Sequence, residues 1–117
     1  MRKVLILTNS SGGLYDFRNE FVLALLGEYQ VYISMPDDVK EKELAAQGCR
    51  IVKTAINRRG INPLEDLKLY RTYSRMMKDI KPDLVVTYTI KPNIYGGFAA
   101  GMRKIPYIAT ITGLGGA

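Results

Sequence analysis

The sequence predicts an α/β protein: an open parallel sheet of about five strands in the order 3-2-1-4-5, with helices on both faces. Three observations predict it. Strand-like and helix-like stretches alternate along the whole chain, five of the first and four of the second, which is the pattern of right-handed β–α–β crossovers. The strand candidates are short, apolar and β-branched, LVVTYT at Leu84–Thr89 being the clearest, as in a parallel sheet covered on both faces. The stretches after the first, fourth and fifth strands are polar or glycine-rich: Thr8 to Leu14, Thr89 to Asn93, and Thr112 to Gly115. Parallel sheets bind ligands outside the carboxyl ends of their strands, at the point where strand order reverses.

Lys3 to Leu7, KVLIL, is a near-continuous apolar run and reads as a strand buried on both faces. A helix is predicted from about Asp16 to Glu28, with Phe17, Phe21, Ala24 and Leu25 on one apolar face that Val22, Leu23 and Leu26 widen. Val31 to Met35 is the second strand. Pro36-Asp37-Asp38 then turns into a short helix, Val39 to Gln47, stopped by Gly48. Cys49 to Lys53 is the third strand, and Thr54 to Ile61 a polar, basic loop. Asn62-Pro63-Leu64-Glu65 carries the clearest helix start: a capping Asn, Pro at the first helical position, and Glu to close a capping box. That helix runs to about Ile80. Leu64, Leu67, Tyr70, Tyr73, Met76 and Ile80 form its apolar face, and Arg71, Arg75 and Lys78 its solvated one. After Leu84–Thr89, Pro92 and Asn93 can open a helix that continues through Ile94 to Arg103. Its small residues Gly96, Gly97, Ala99, Ala100 and Gly101 let it lie close to a sheet. Tyr107 to Thr112 is the fifth strand.

The 117 residues suit one domain with one core, 47% hydrophobic and 24% charged. No apolar run approaches the ~20 residues of a spanning helix. The start lacks the apolar length and cleavage site of a signal peptide, so a cytoplasmic location is expected. The single Cys49 fits a reducing compartment and leaves no internal disulfide or cysteine metal cluster. There is no histidine, which excludes histidine-based metal, triad or general-base chemistry in this segment. The net charge of +6 favours an anionic partner such as a nucleotide, a diphosphate or an acidic membrane face. The chain stops on Gly115-Gly116-Ala117 directly after a strand, which reads as a cut at a domain boundary.

Ser10-Ser11-Gly12-Gly13 lies between a strand and a helix, where exposed amides and the helix dipole make an anion site. It is neither a dinucleotide fingerprint nor a Walker A loop, so no cofactor is specified; the alternative is a plain glycine turn. Arg18 falls in the first turn of its predicted helix, where the dipole disfavours a cation. Either Asp16 or Glu20 compensates it, or it reaches across the crevice to an anion. Lys91 lies in the loop after the fourth strand, as a solvated lysine or as a second crevice cation that repels Arg18 unless an anion lies between them. Asn93 is a helix cap or a ligand contact. Gly113 and Gly115 turn the chain or let a ligand approach backbone amides. Arg58 and Arg59 are loop charges or grip a phosphate or a lipid headgroup.

Taken together, YDFRNEF, RRGINPLEDL, KPDLVVTYTIKPNIYGGFAA and IPYIATITGLG resemble the amino-terminal domain of family 4-like glycosyltransferases. These bacterial two-domain enzymes build polysaccharide repeat units on a lipid diphosphate carrier. The resemblance covers nearly all of the chain, and YTIKPNIYG and ITGLG are its most specific parts. It implies a GT-B architecture of two Rossmann-like domains facing across a cleft, with this chain as the acceptor-side half. The carboxy-terminal domain, which would bind the sugar nucleotide, is absent. Carried onto this sequence, Gly12 and Gly13 face the donor diphosphate. Arg18, Lys91 and Asn93 lie on the acceptor side, and Gly113 and Gly115 supply cleft backbone. Many relatives have a histidine where this chain reads Thr89-Ile90-Lys91, so the usual contact to the donor sugar is not carried over.

The expected reaction moves a sugar from a nucleotide-sugar donor to a lipid-diphosphate-linked saccharide in cell-surface polysaccharide synthesis. This half contributes positioning and charge stabilisation; no catalytic residue, metal or cofactor is assigned to it. The expected partners are the donor, the acceptor, the missing domain and the anionic inner face of the cell membrane, with Arg58, Arg59, Arg71 and Arg75 as candidate membrane contacts. No nucleic acid is expected. A nucleotide-sugar 2-epimerase half and a non-catalytic nucleotide-binding or regulatory domain are the alternatives.

Overall fold

The structure, a computed structural model, describes residues 2–56 and 62–110. The expectations for Arg58, Arg59, Gly113 and Gly115 fall outside the described residues. In chain order the elements are β1 (Arg2–Leu7), α1 (Ser11–Leu26), β2 (Tyr29–Met35), α2 (Glu41–Ala46), β3 (Arg50–Lys53), α3 (Pro63–Ile80), β4 (Leu84–Tyr88), a π-helical turn (Pro92–Gly96), α4 (Gly97–Met102) and β5 (Tyr107–Thr110). All strand pairs are parallel and the order is β3-β2-β1-β4-β5, as the alternation predicts.

β1 is the central strand because its sequence leaves it no solvent face. Val4, Leu5, Ile6 and Leu7 are each fully buried. Successive side chains of a strand point to opposite faces, so the four divide between two cores. Val4 and Ile6 join Leu14, Val22 and Leu25 of α1 and Leu44 of α2. Leu5 and Leu7 join Leu69, Tyr73, Met76 and Met77 of α3 and Ala99 and Ala100 of α4. Each such side chain stabilises the fold by roughly 1.5–3 kcal/mol.

The small residues before α4 act as their composition suggests. A Cβ on Gly96 would overlap Leu7 Cδ1 and lie 3.1 Å from Thr87 Cγ2, so only glycine lets this backbone rest on β1 and β4. The π-helical turn there, in place of a regular helix start, is the difference from expectation.

Two predicted helix faces are buried only in part. Phe17 and Phe21 are exposed, and Leu14, Val22 and Leu25 carry the packing of α1. Val22 and Leu25 belong to the predicted face and are buried; the helix is also interrupted by non-helical backbone at Arg18 (φ −128°, ψ 15°). In α3, Tyr73 and Met76 are buried as predicted, but Leu64 and Leu67 are exposed, and Asp66, Leu69 and Met77 take the inner positions. The start of α3 follows the prediction: Asn62 Oδ1 accepts from the Leu64 and Glu65 amides, with Pro63 at the first position. Among the described residues no helix is long and apolar enough to cross a membrane, and no cluster of metal-ligating side chains occurs.

Candidate functional site

The carboxyl ends of β1 and β4 lie side by side, Leu7 opposite Thr87. The chain leaving β1 is tied down at once. Thr8 is buried and its amide donates to Ser34 O at 3.0 Å. Ser10 caps α1, its Oγ accepting from the Gly13 amide at 3.0 Å. The glycines expected in a loop before the helix are therefore inside its first turn. The Ser11 amide donates to Asp37 Oδ1 at 2.8 Å, and Ser11 Oγ donates to Asp37 Oδ2 at 2.7 Å. Ser11 Oγ in turn accepts from the Lys40 amide. Leu14 N–H donates to Ser10 O. Among the described residues, no acceptor engages the Gly12 N–H.

Asp37 thus already supplies one anion to the positive end of α1. Burial works to raise its pKa, but the hydrogen bonds from Ser11, together with those from the Asp37 and Val39 amides, outweigh burial and hold the carboxyl below its ordinary value. Asp37 is 26 residues from Ser11 and was not legible as a site residue. Ser10, which fixes where the helix starts, was legible as a cap but read as part of a turn.

On the β4 side, Thr89 has φ 72°, a left-handed conformation that a β-branched residue rarely adopts. Its Oγ1 donates to Tyr88 O. Ile90 projects 75% exposed. Lys91 is neither a solvated nor a free crevice cation: its Nζ pairs with Asp66 Oδ1 of α3 at 2.8 Å, and both side chains are largely buried. Tyr95 OH donates to the other Asp66 oxygen at 3.0 Å. The Lys91 hydrogen bond foremost, with help from Tyr95, holds the Asp66 carboxyl below its ordinary pKa. Asn93 does not cap a helix. Its Oδ1 accepts from Thr87 Oγ1 at 2.7 Å and its Nδ2 donates to Thr110 O at 2.9 Å, joining the π-helical turn to the ends of β4 and β5.

Arg18 is the eighth residue of α1 and not in its first turn, because the helix begins at Ser11. The dipole argument against it therefore lapses. It is exposed, and no ion pair to Asp16 or Glu20 forms among the described residues. Its charge instead reaches the phenol of Tyr88, at the carboxyl end of β4. Burial raises that phenol's pKa, and Arg18 acts in the opposite sense. Arg18 and Tyr88 lie on the α1 face of the sheet, whereas the Lys91–Asp66 pair lies on the α3 face. The two cations do not form one pair around a single anion.

This arrangement, a capped helix start beside a strained strand end, suits an anionic ligand but many α/β proteins share it. Residues 3–116 match the family described as Glycosyl transferase 4-like. The chain belongs to that family. The match agrees with the resemblance carried by YTIKPNIYG and ITGLG. This family 4-like chain is 27% identical over 115 residues to a protein of Campylobacter jejuni subsp. jejuni, N,N'-diacetylbacillosaminyl-diphospho-undecaprenol alpha-1,3-N-acetylgalactosaminyltransferase. The match covers 97% of this chain and 31% of that protein, so the chain spans about a third of the relative's length. A glycosyltransferase from Rickettsia africae superposes with a TM-score of 0.74 at 17% identity, over 92% of this chain and 29% of that one. A UDP-N-acetylglucosamine 2-epimerase superposes with a TM-score of 0.72 at 18% identity, over 94% of this chain and 32% of that one. The two structures share the fold with the family 4-like chain, and the fold alone does not separate transfer from epimerisation.

Proposed function

We propose that this domain is the acceptor-side half of a glycosyltransferase that moves a sugar from a nucleotide-diphosphate donor to a lipid-diphosphate-linked saccharide. The observation that carries the reading is the open first turn of α1. Gly12 and Gly13 have no positive φ, and a Cβ at either would meet nothing closer than 3.8 Å or 3.5 Å, ordinary contact distances. Glycine in a helix is less stable than alanine by roughly 0.5–1 kcal/mol. Neither backbone geometry nor packing asks for glycine here, so the space in front of the turn is kept for something outside the chain. A diphosphate suits it, accepting from the Gly12 N–H at the positive end of the dipole.

The acceptor lies toward Arg18 and the Thr89–Ile90 segment. The Campylobacter relative's name specifies a diphospho-undecaprenol carrier, which supports a lipid-diphosphate acceptor here. A second domain holds the nucleotide and supplies the reacting groups; this half positions. The acceptor's lipid keeps the protein on the anionic cytoplasmic face of the membrane, in the setting of capsule or lipopolysaccharide synthesis. The outer face of α3 is suited to that contact. Leu64 and Leu67 are exposed on it, and Lys68, Arg71 and Arg75 line a groove of about 520 Å³ floored by Val52, Met76 and Ile80.

The test incubates full-length protein with UDP-linked hexoses and hexosamines, with and without undecaprenyl-diphosphate-linked saccharide. Sugar transfer that requires the lipid supports the reading. Interconversion of the nucleotide sugar to its 2-epimer without acceptor overturns it, and so does nucleotide binding with no turnover. Gly12→Val and Gly13→Val should lower kcat/KM by about 10- to 100-fold, the worth of one charge-assisted hydrogen bond, with Tm little changed. Wild-type kinetics in both would make the turn merely structural.

A further inference from the structure

We propose that Asp66 is a positioning residue: through Lys91 and Tyr95 it holds the Thr89–Ile90 segment as a preset wall of the acceptor crevice. This rests on the acceptor-side reading above. Asp66 sits in the first turn of α3 and is 7% exposed. Its two oxygens bind Lys91 Nζ at 2.8 Å and Tyr95 OH at 3.0 Å. Those two partners flank Asn93, whose amide bridges Thr87 of β4 and Thr110 of β5. The five residues Lys91 to Tyr95 are therefore fastened to three separate elements. Two positions before Lys91 stands Thr89 at φ 72°. A β-branched residue stays in that conformation only where its surroundings over-determine it, and the fastened segment supplies that constraint. The crevice side of the loop then carries exposed Ile90, while Lys91 points back to α3. Lys91 and Asn93 act on the acceptor through the loop's shape, not by touching it.

The Asn93 backbone N–H donates to Thr89 O at 3.0 Å and so reports directly on the segment. Its hydrogen exchange is measured by NMR in the 117-residue chain, with the Leu5 amide of β1 as the reference for global folding. Asp66→Asn and Lys91→Met should each speed Asn93 exchange by about tenfold or more with Leu5 unchanged, and the double variant should be no faster than either single one. In full-length protein, farnesyl diphosphate serves as the soluble probe of the acceptor site. Its affinity should fall by about tenfold in both single variants and no further in the double.

Unchanged Asn93 exchange in Asp66→Asn overturns the anchor. Loss of probe affinity in Lys91→Met with full affinity in Asp66→Asn also overturns it, because Lys91 would then touch the ligand itself. Should farnesyl diphosphate fail to bind the wild type, the acceptor reading fails, and the exchange experiment still decides the anchor on its own.

Discussion

Tyr73 shows what one misplaced atom is worth. Its ring is fully buried under β1, and its hydroxyl has no hydrogen-bond partner among the described residues. Burial alone pushes the phenol's pKa far up. A buried hydroxyl without a partner costs about 1–3 kcal/mol, so Tyr73→Phe should raise stability by up to that amount in denaturant titration. A lower midpoint would reveal a partner that the fold hides. Asp37 has the opposite standing. With its pKa held below the ordinary 3.8, its contribution is complete above that value and is lost as pH falls through the depressed one. Asp37→Asn should therefore cost about 1–3 kcal/mol at neutral pH and flatten the decline of stability below pH 4, read from unfolding curves between about pH 2 and 5. An unchanged acid limb would place the titrating group elsewhere. Residues of this kind were the least legible in the sequence. Ser11 and Asp37 are 26 positions apart, and Lys91 and Asp66 are 25 apart. Which carboxylate meets which donor depends on how helices dock, and local pattern carries no such information.

At the scale of elements, legibility followed how local the deciding interaction is. The start of α3 was readable because Asn62 and Pro63 act on their immediate neighbours. The start of α1 was not, because two glycines favour a turn and only the Ser10 cap with the distant Asp37 makes them helical. The inner face of α1 was legible only in part: Val22 and Leu25 are buried as the pattern has it, but Phe17 and Phe21 are exposed. Apolar residues run round so much of this helix that periodicity alone does not choose the inner side. The glycines around α4 allow a sharp test of close approach. Gly96→Ala must displace buried Leu7 and should destabilise by about 1–3 kcal/mol. Gly101, with nothing within 4 Å of its Cβ position, should accept alanine and gain up to about 1 kcal/mol. Equal effects at the two positions in thermal melts would mean that α4 does not rest on the sheet as described.

For the whole molecule, the sheet was readable nearly strand by strand, since continuous apolar runs leave a parallel sheet as the main way to bury both faces. The charge of +6 was readable too, but its distribution was not. The structure brings Arg71 and Arg75 together with Lys68 along one groove, three cations against the single carboxylate of Asp79, which turns a diffuse charge into a net positive surface. Vesicles with anionic lipid should bind the protein at low salt, and Arg71→Glu with Arg75→Glu should weaken that binding by about 2 kcal/mol, near 1 kcal/mol for each cation removed. Sedimentation with neutral vesicles is the control. Equal binding to both vesicle types, or no effect of the double substitution, would rule out α3 as a membrane-binding surface.

The central place of β1 has a consequence in time. One edge of β1 is met by β2, which follows closely in the chain, but the other waits for β4, with Lys3 bonded to Asp83 80 positions away. At a synthesis rate of roughly 5–20 residues per second, that edge stays open for about 4–16 seconds on the ribosome. During those seconds the nascent protein presents an unpaired row of backbone donors and acceptors beside the most apolar strand it has. The length of that exposure is set by strand order, and no substitution within β1 itself would shorten it.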